Sequence, residues 1–246
     1  MSEPIDPQPP GDRPSHFGGS IEQTLAGRAE LDVGEVLRES WERIDGIKSI
    51  VNAGFGVTYA VVFVVAGLLG PIFGLNEENL YTGWISQLVV MIIVYPFMAG
   101  VFMLGLKRSV GMPVTFAEQF SQYGRLAPIL AVGLLQSFAT FVGTMLFILP
   151  GLYLAVALSL AIPLKVEKDL PVVDCLVVSL KLVNRRFLAV LALGLVSAGL
   201  MIIGMLSLIG WIWTLPWTVM IYSVLYRQLA GFDVDAGARA LATREY

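Results

Sequence analysis

The acidic groups that could do chemistry gather in one place: Glu167, Asp169 and Asp174 fall close together in the sequence. Carboxylates at such spacing are the raw material of a divalent-cation site or an acid–base pair. Here Lys165, Lys168 and Lys181 lie beside them, and the group reads as a solvated mixture of charges. Other catalytic side chains are scarce. There is one histidine, His16, in a proline-rich stretch, and one cysteine, Cys175. A lone cysteine makes no internal disulfide and no thiolate metal site, and a lone histidine excludes a histidine-cluster zinc centre. The sequence contains no Ser–His–Asp arrangement, no phosphate loop and no two-metal carboxylate motif. The expectation is a protein that is not an enzyme and holds no cofactor or metal.

Two weaker sets remain. Lys181, Arg185 and Arg186, with Arg125 and Trp41, have the chemistry to contact lipid headgroups or a partner protein. A cation near an anionic surface contributes about 1 kcal/mol, and tryptophan suits the headgroup level. Topology control accounts for the same cations equally well. Gln87 and Gln136 are the polar candidates inside apolar blocks. They could line a substrate path, or join helices through hydrogen bonds of about 0.6–2 kcal/mol.

The elements that must carry these residues are those of a membrane protein. Hydrophobic residues make up 56% of the 246, and charged ones only 14%, where soluble domains carry roughly 25%. A spanning helix needs about 20 apolar residues. Ile50–Gly74 and Trp84–Leu106 each supply one uncharged span, separated by a short loop with Glu77 and Glu78. Leu126–Leu164 and Phe187–Tyr226 are uncharged blocks long enough for two spans each. Pro150-Gly151 and Gly210 are the expected reversal points, because proline breaks a helix and glycine tolerates a turn. Lys165 and Lys168 are expected to snorkel and lengthen the short fourth span. Pro96, Pro163 and Pro216 read as kinks, and Ala139 and Gly143 as a close helix–helix approach. No ionisable residue falls inside a predicted span, which argues against a proton relay or coupled ion pump.

Each pair of spans follows an amphipathic segment: Leu31–Arg43, Met112–Arg125 and Leu170–Arg186. Asp32 with Glu35, and Thr115 with Glu118, have capping-box spacing. In the first segment Val33, Val36, Leu37, Trp41 and Ile44 share a face; in the second, Phe116, Phe120 and Tyr123 do. Aligned, Leu31, Met112 and Leu170 coincide, as do Val33, Val114 and Val172, and Ser40, Ser121 and Ser179. The expected fold is therefore all-α: a polytopic bundle of six transmembrane helices, built as three repeats of an interfacial helix plus a transmembrane hairpin. The repeats cover about 31–108, 112–168 and 170–228 of a membrane domain spanning 31–230. Residues 1–30 read as a disordered, acidic, Pro-rich cytoplasmic tail, and 231–246 as a short cytoplasmic tail. Residues 1–49 hold no apolar run, so no cleavable signal peptide is expected.

All sixteen lysines and arginines fall on one side of this scheme. The positive-inside rule then places both termini in the cytoplasm. Residues 149–187 resemble the uncharacterised bacterial inner-membrane proteins typified by YciC. They are also similar to the membrane domain fused to some glycerophosphodiester phosphodiesterases. The matching residues are Pro150, Gly151, Tyr153, Pro163, Glu167, Pro171, Ser179, Arg185 and Phe187. The resemblance implies a multi-pass protein of the bacterial inner membrane with no catalytic residues to carry over, and the phosphodiesterase's soluble domain is absent. The leading expectation is a scaffold or membrane-homeostasis factor that contacts anionic lipid or a membrane-protein partner, and no nucleic acid, through its cytoplasmic interfacial helices. The alternative is a small permease for an uncharged or lipidic substrate. The sequence leaves homo-oligomerisation open.

Overall fold

The computed structural model describes residues 16–73, 80–207 and 209–234. The loop with Glu77 and Glu78 and the tail beyond 234 lie outside them.

Helix α1 (Ile21–Leu25) is followed by α2 (Val33–Glu42), which starts where the sequence places it. The Asp32 carboxylate accepts the Glu35 backbone N–H at 2.9 Å and caps the helix. Val36 and Ile44 are buried, while Arg38 and Glu42 pair on the outer face at 3.1 Å. Helices α3 (Lys48–Phe73) and α4 (Leu80–Ser109) then form a hairpin.

The second amphipathic segment differs from expectation. Phe116–Arg125 is a 3₁₀ helix, and Thr115 does not cap it with its side chain. The Glu118 carboxylate turns to Lys107, at 2.7 Å, with the Thr115 hydroxyl at 3.3 Å. The tighter winding follows from Gln119, which is fully buried. It donates to the Ile50 and Phe116 carbonyls at 3.0 and 3.2 Å. Any Cβ on Gly100 would stand 2.0 Å from the Gln119 carbonyl oxygen, so only glycine lets this segment approach α4 so closely.

Helices α5 (Leu126–Leu146) and α6 (Ile148–Ala157) reverse at Phe147, a single extended residue with φ −162° and ψ 154°. Pro150 and Gly151 do not make the turn, contrary to expectation. Pro150 is the third residue of α6, in the first turn, where a missing N–H costs nothing. Helix α7 (Ala161–Lys168) continues α6 after a short break, and Pro163 again lies in its first turn. Helix α8 (Val172–Arg185) is the third amphipathic segment. Helices α9 (Phe187–Ser207) and α10 (Trp211–Ala230) reverse at Gly210 as expected, its N–H donating to Ser207 Oγ at 2.8 Å.

Five helical segments among the described residues are long and apolar enough to cross a membrane. Lys48–Gly70, Ile85–Ser109 and Phe187–Ser207 overlap the first, second and fifth predicted spans and Ile148–Lys168 the fourth, while Phe116–Leu146 takes in the second amphipathic segment as well as the third predicted span. Helix α10 is not a sixth by that measure. It carries Thr214, Thr218, Tyr222, Ser223 and Tyr226, and it packs against α2, α3, α4 and α9 at the centre of the bundle.

The core is concentrated at the end of the bundle that bears the charges. Val36, Ile47, Leu104, Leu106, Leu164, Leu182, Val224 and Tyr226 are buried there. The far ends of the spans stand open: Phe147, Ile148, Leu149 and Leu206 are each more than three-quarters exposed. Such a surface is what helices surrounded by hydrocarbon present.

The residues aligned across the three amphipathic segments behave alike in part. Leu31, Met112 and Leu170, and Val33, Val114 and Val172, all pack against the main core. Ser40 and Ser179 are buried, but Ser121 is exposed, because the 3₁₀ winding turns Gln119 inward in its place.

Regular elements fall within residues 16–30, part of the stretch read from composition as a tail. Strand β1 (His16–Phe17) pairs antiparallel with β2 (Phe232–Asp233). Thr24 is buried and donates to the Leu229 carbonyl at 2.6 Å. Gly18, at φ +88°, lies against the Arg227 carbonyl, where a Cβ would be 2.2 Å away. These contacts make a strap of 16–31 across α8 and α10. The proline-rich composition concealed it because its anchors are mostly backbone atoms. Residues 1–15 lie outside the described set.

Candidate functional site

The charged end of the bundle divides into cations that hold the fold together and cations that do not. Arg125 belongs to the first group. Its guanidinium donates to the Val166 carbonyl at 2.9 Å and the Lys165 carbonyl at 3.4 Å, and it pairs with Asp169. It therefore closes the C-terminal end of α7, where unpaired carbonyls and the helix dipole favour a cation. Only 13% of its side chain is exposed, and its guanidinium is engaged by the protein itself.

Asp169 sits at φ 49° and ends α7 in the left-handed region. Burial alone would raise its carboxyl. Hydrogen bonds and attraction from Lys165 and Arg125 outweigh that and hold it below the usual carboxylate value. Lys165 reaches Asp169 and the Leu170 carbonyl, both at 2.9 Å. Glu167 is buried. It accepts from Tyr226 Oη at 2.8 Å and the Asp233 N–H at 3.2 Å, and pairs with Lys168 at 3.0 Å. The two lysines expected to snorkel are thus spent on acids of the same turn. Among the described residues no three His, Cys, Asp or Glu groups converge as a metal site would require. Burial pushes the Cys175 thiol up to about 11, with Lys165 opposing and Asp174 and Asp169 adding to it.

Three more cations are also internal. Arg227 meets both carboxylate oxygens of Glu39 at 2.6 Å and donates to the Ser109 carbonyl. Arg108 donates to the Asp45 carbonyl at 2.6 Å. Arg186 donates to the Ala29 carbonyl at 2.9 Å and the Gly27 carbonyl at 3.4 Å, tying the strap to α8. Arg186, too, is a fastening. Trp41 is half-exposed but committed on one face, edge-on to Trp217 with ring centroids 4.7 Å apart. Trp217 Nε1 donates to Ser40 Oγ at 2.9 Å.

Lys181 and Arg185 differ. Both are exposed, and neither has an ion-pair or hydrogen-bond partner among the described residues. Helical spacing sets them on one stripe with Val173 and Val177, which are 61% and 42% exposed. The opposite face of α8, with Cys175, Ser179, Leu182 and Val183, is buried in the bundle. Helix α8 is therefore held from behind and presents valines edged by two free cations. Arg28 joins them. It lies between the two residues whose carbonyls Arg186 holds, and its side chain is exposed and without a partner among the described residues. Sequence reasoning missed Arg28 because it sits in the stretch read as disordered. Glu30 and Asp174 are exposed in the same region and moderate the positive charge.

The two glutamines are not brought together at one cavity. Gln136 lines an open groove of about 440 Å³ with Ser137, Thr140, Phe141 and Thr144 of α5 and Ala155 of α6. Gln87 is exposed on α4 and does not line it.

No family model and no solved structure matches this chain. The chain is similar to "Uncharacterized protein Rv2560" of Mycobacterium tuberculosis, at 23% identity over 258 residues, covering 95% of the chain and 76% of the relative. It is similar to the same extent to "Uncharacterized protein Mb2590" of Mycobacterium bovis.

Proposed function

We propose that the chain is a non-enzymatic, six-span protein of the bacterial inner membrane that grips anionic lipid headgroups through α8. In this reading α10 is the sixth span, shielded from lipid by its neighbours, which lets it be less apolar than the others. The three amphipathic segments with their hairpins are three copies of one unit, of the kind found in the YciC-like proteins. Both termini lie in the cytoplasm. The observation that carries the reading is the pair Lys181 and Arg185, free of partners among the described residues and beside exposed valines on a helix anchored from behind. Valines reach into the acyl boundary while the longer cationic side chains meet phosphate. Fixing the charges on a rigid helix lowers the entropy lost on binding. The role is that of a scaffold that recruits or organises anionic lipid. The permease alternative is the weaker one, since Gln87 stands away from the groove at Gln136.

The test is the anionic phospholipid retained by the purified protein, quantified by mass spectrometry. Two surface cations at about 1 kcal/mol each correspond to about a thirtyfold loss of affinity on double neutralisation. K181Q/R185Q is expected to lose most of its anionic lipid and keep its zwitterionic lipid. Unchanged retention overturns the proposal. Labelling of a cysteine placed at position 77 or 78 from the cytoplasmic side overturns the topology.

A further inference from the structure

In the second amphipathic segment the residue pattern and the observed winding disagree. Phe116–Arg125 is a 3₁₀ helix for ten residues, where runs longer than three or four are uncommon. Three residues per turn put Phe116, Gln119, Gln122 and Arg125 in one row. The polar members of that row turn toward the protein, with Gln119 fully buried. They are incompletely paired there. Gln119 Oε1, Gln122 Oε1 and Arg125 Nε are buried without a hydrogen-bond partner among the described residues.

The pattern itself is α-helical. At 3.6 residues per turn Phe116, Phe120 and Tyr123 share one face, and Thr115 and Glu118 stand at capping-box spacing. In this structure both features go unused. Phe116 and Tyr123 are 41% and 36% exposed. Thr115 has the extended backbone of a cap, at φ −121° and ψ 157°, but its side chain makes no cap hydrogen bond. What holds the 3₁₀ form is tertiary. Gln119 donates to the Ile50 and Phe116 carbonyls, Gly100 leaves room for its backbone, and Lys107 takes the Glu118 carboxylate at 2.7 Å.

We propose that this segment is a two-state element that rewinds between 3₁₀ and α within the folded protein. Rewinding to α withdraws Gln119 from between α3 and α4 and turns Phe116 and Tyr123 toward the bundle. It frees Glu118 to complete the cap with Thr115, and Lys107 then presents its charge at this end of the bundle. Ten residues shorten from about 20 Å to about 15 Å. The segment runs directly into α5 at Leu126, so residues 110–115, which join it to α4, take up the difference. Each form satisfies what the other leaves unmet: the 3₁₀ form has the Gln119 bonds and the Lys107 pair, the α form the cap and the aromatic face. Lipid that touches Phe116 and Tyr123 from outside favours the 3₁₀ form, because those contacts exist only there. The element shares no residue with the proposed headgroup site on α8.

The test is continuous-wave EPR on pairs of nitroxide-labelled cysteines. The full chain, with its buried Cys175 replaced by Ser, is reconstituted in phosphatidylcholine vesicles. Ala117, Ser121 and Gly124 are exposed, and a side chain at Gly124 meets open space. Positions three apart are close in both windings, whereas positions four apart are close in α alone. In the parent protein Ser121→Cys/Gly124→Cys is expected to show dipolar broadening and Ala117→Cys/Ser121→Cys little. Gly100→Ala places a Cβ 2.0 Å from the Gln119 carbonyl oxygen, and Lys107→Gln releases Glu118. Each is expected to shift the 117/121 pair to strong broadening while the 121/124 pair keeps its own. If Gly100→Ala does not fold, Lys107→Gln decides. A 117/121 pair unchanged in the folded variants overturns the proposal. So does loss of broadening from both pairs, which would mean that the segment unwinds instead.

Discussion

Arg227, near the end of α10, holds Glu39 of α2 through two hydrogen bonds of 2.6 Å each, 188 residues away in sequence. Glu39 also receives Arg43, at 2.9 Å. The first amphipathic helix is thereby pinned to the last helix of the bundle, and the Ser109 carbonyl at the end of α4 is drawn into the same guanidinium. One nitrogen, Nη2, reaches both carboxylate oxygens in a charge-assisted contact, and Arg227 and Glu39 are only 12% and 21% exposed.

Removing one partner should therefore cost more than removing both. Glu39→Gln leaves a largely buried guanidinium without its counter-charge, and the expected loss is about 2–4 kcal/mol, below the full penalty for a deeply buried pair. The double variant Glu39→Gln/Arg227→Gln is expected to lose less than the sum of the two singles. Thermal unfolding of the purified protein in detergent, run as a double-mutant cycle, checks both points. Additive losses would show that the pair is not coupled.

Ser179 is the next test, because it repairs a broken helix. The span made of α6 and α7 is interrupted at Leu158–Leu160. Ser179 Oγ donates to the Ala157 carbonyl at 2.8 Å and accepts from the Leu160 N–H at 3.2 Å. Both backbone groups are buried with it, so Ser179→Ala strands them at a cost of about 1–3 kcal/mol. Hydrogen exchange should show the Leu160 amide losing protection while the amides of α9 keep theirs. Equal protection at Leu160 in the variant would mean that another group had taken over.

These relationships show what the sequence could and could not disclose. The apolar blocks, the three amphipathic segments and the Asp32 cap were legible because periodicity and charge depend on local chain alone. Gly210 was legible as a turn for the same reason. Pro150 was misread because proline serves equally to end one helix or to begin the next, and the choice fell to Phe147, whose type gives no signal. The Thr115 cap failed for a tertiary reason: Lys107 competed for Glu118, and burying Gln119 between α3 and α4 dictated the winding. The candidate site was half legible. Arginines announce themselves in a sequence, but whether a guanidinium faces a headgroup or a carbonyl is decided by residues far along the chain. Arg125 meets Val166, and Arg186 meets Ala29. Lys181 and Arg185 became distinctive only once the others were accounted for.

The cluster around Asp169 predicts a dependence on pH with a definite sign. Its folded-state carboxyl lies below the ordinary value of 3.8, since Lys165 and Arg125 outweigh burial. A depressed carboxyl contributes stability that is present above the unfolded-state value and is lost as pH falls through the folded-state value. Stability should therefore fall on acidification below about pH 4, and Asp169→Asn should flatten that limb. Asparagine also tolerates the left-handed backbone at this position, so the variant tests the charge and not the turn. The effect is modest because half of the Asp169 side chain is exposed. Melting temperature against pH for the two proteins is the measurement. An identical acid limb in both would assign the loss to other carboxylates.

Arg186 separates a fastening from a headgroup contact. Its guanidinium holds the carbonyls of Ala29 and Gly27, and these bonds, with Thr24 on Leu229, keep the strap against α8 and α10. Arg186→Gln cannot span both carbonyls, so the strap should open more often around Gly27–Ala29. Arg28 lies between those two residues and is a trypsin site, and local opening frees the backbone around it to enter the protease. Limited proteolysis of the purified variant is expected to cut after Arg28 several times faster than in the parent protein. Retention of anionic lipid should stay where it was, in contrast to K181Q/R185Q. The reverse pattern, with lipid lost and cleavage unchanged, would return Arg186 to the lipid-facing set and release the strap from its dependence on α8.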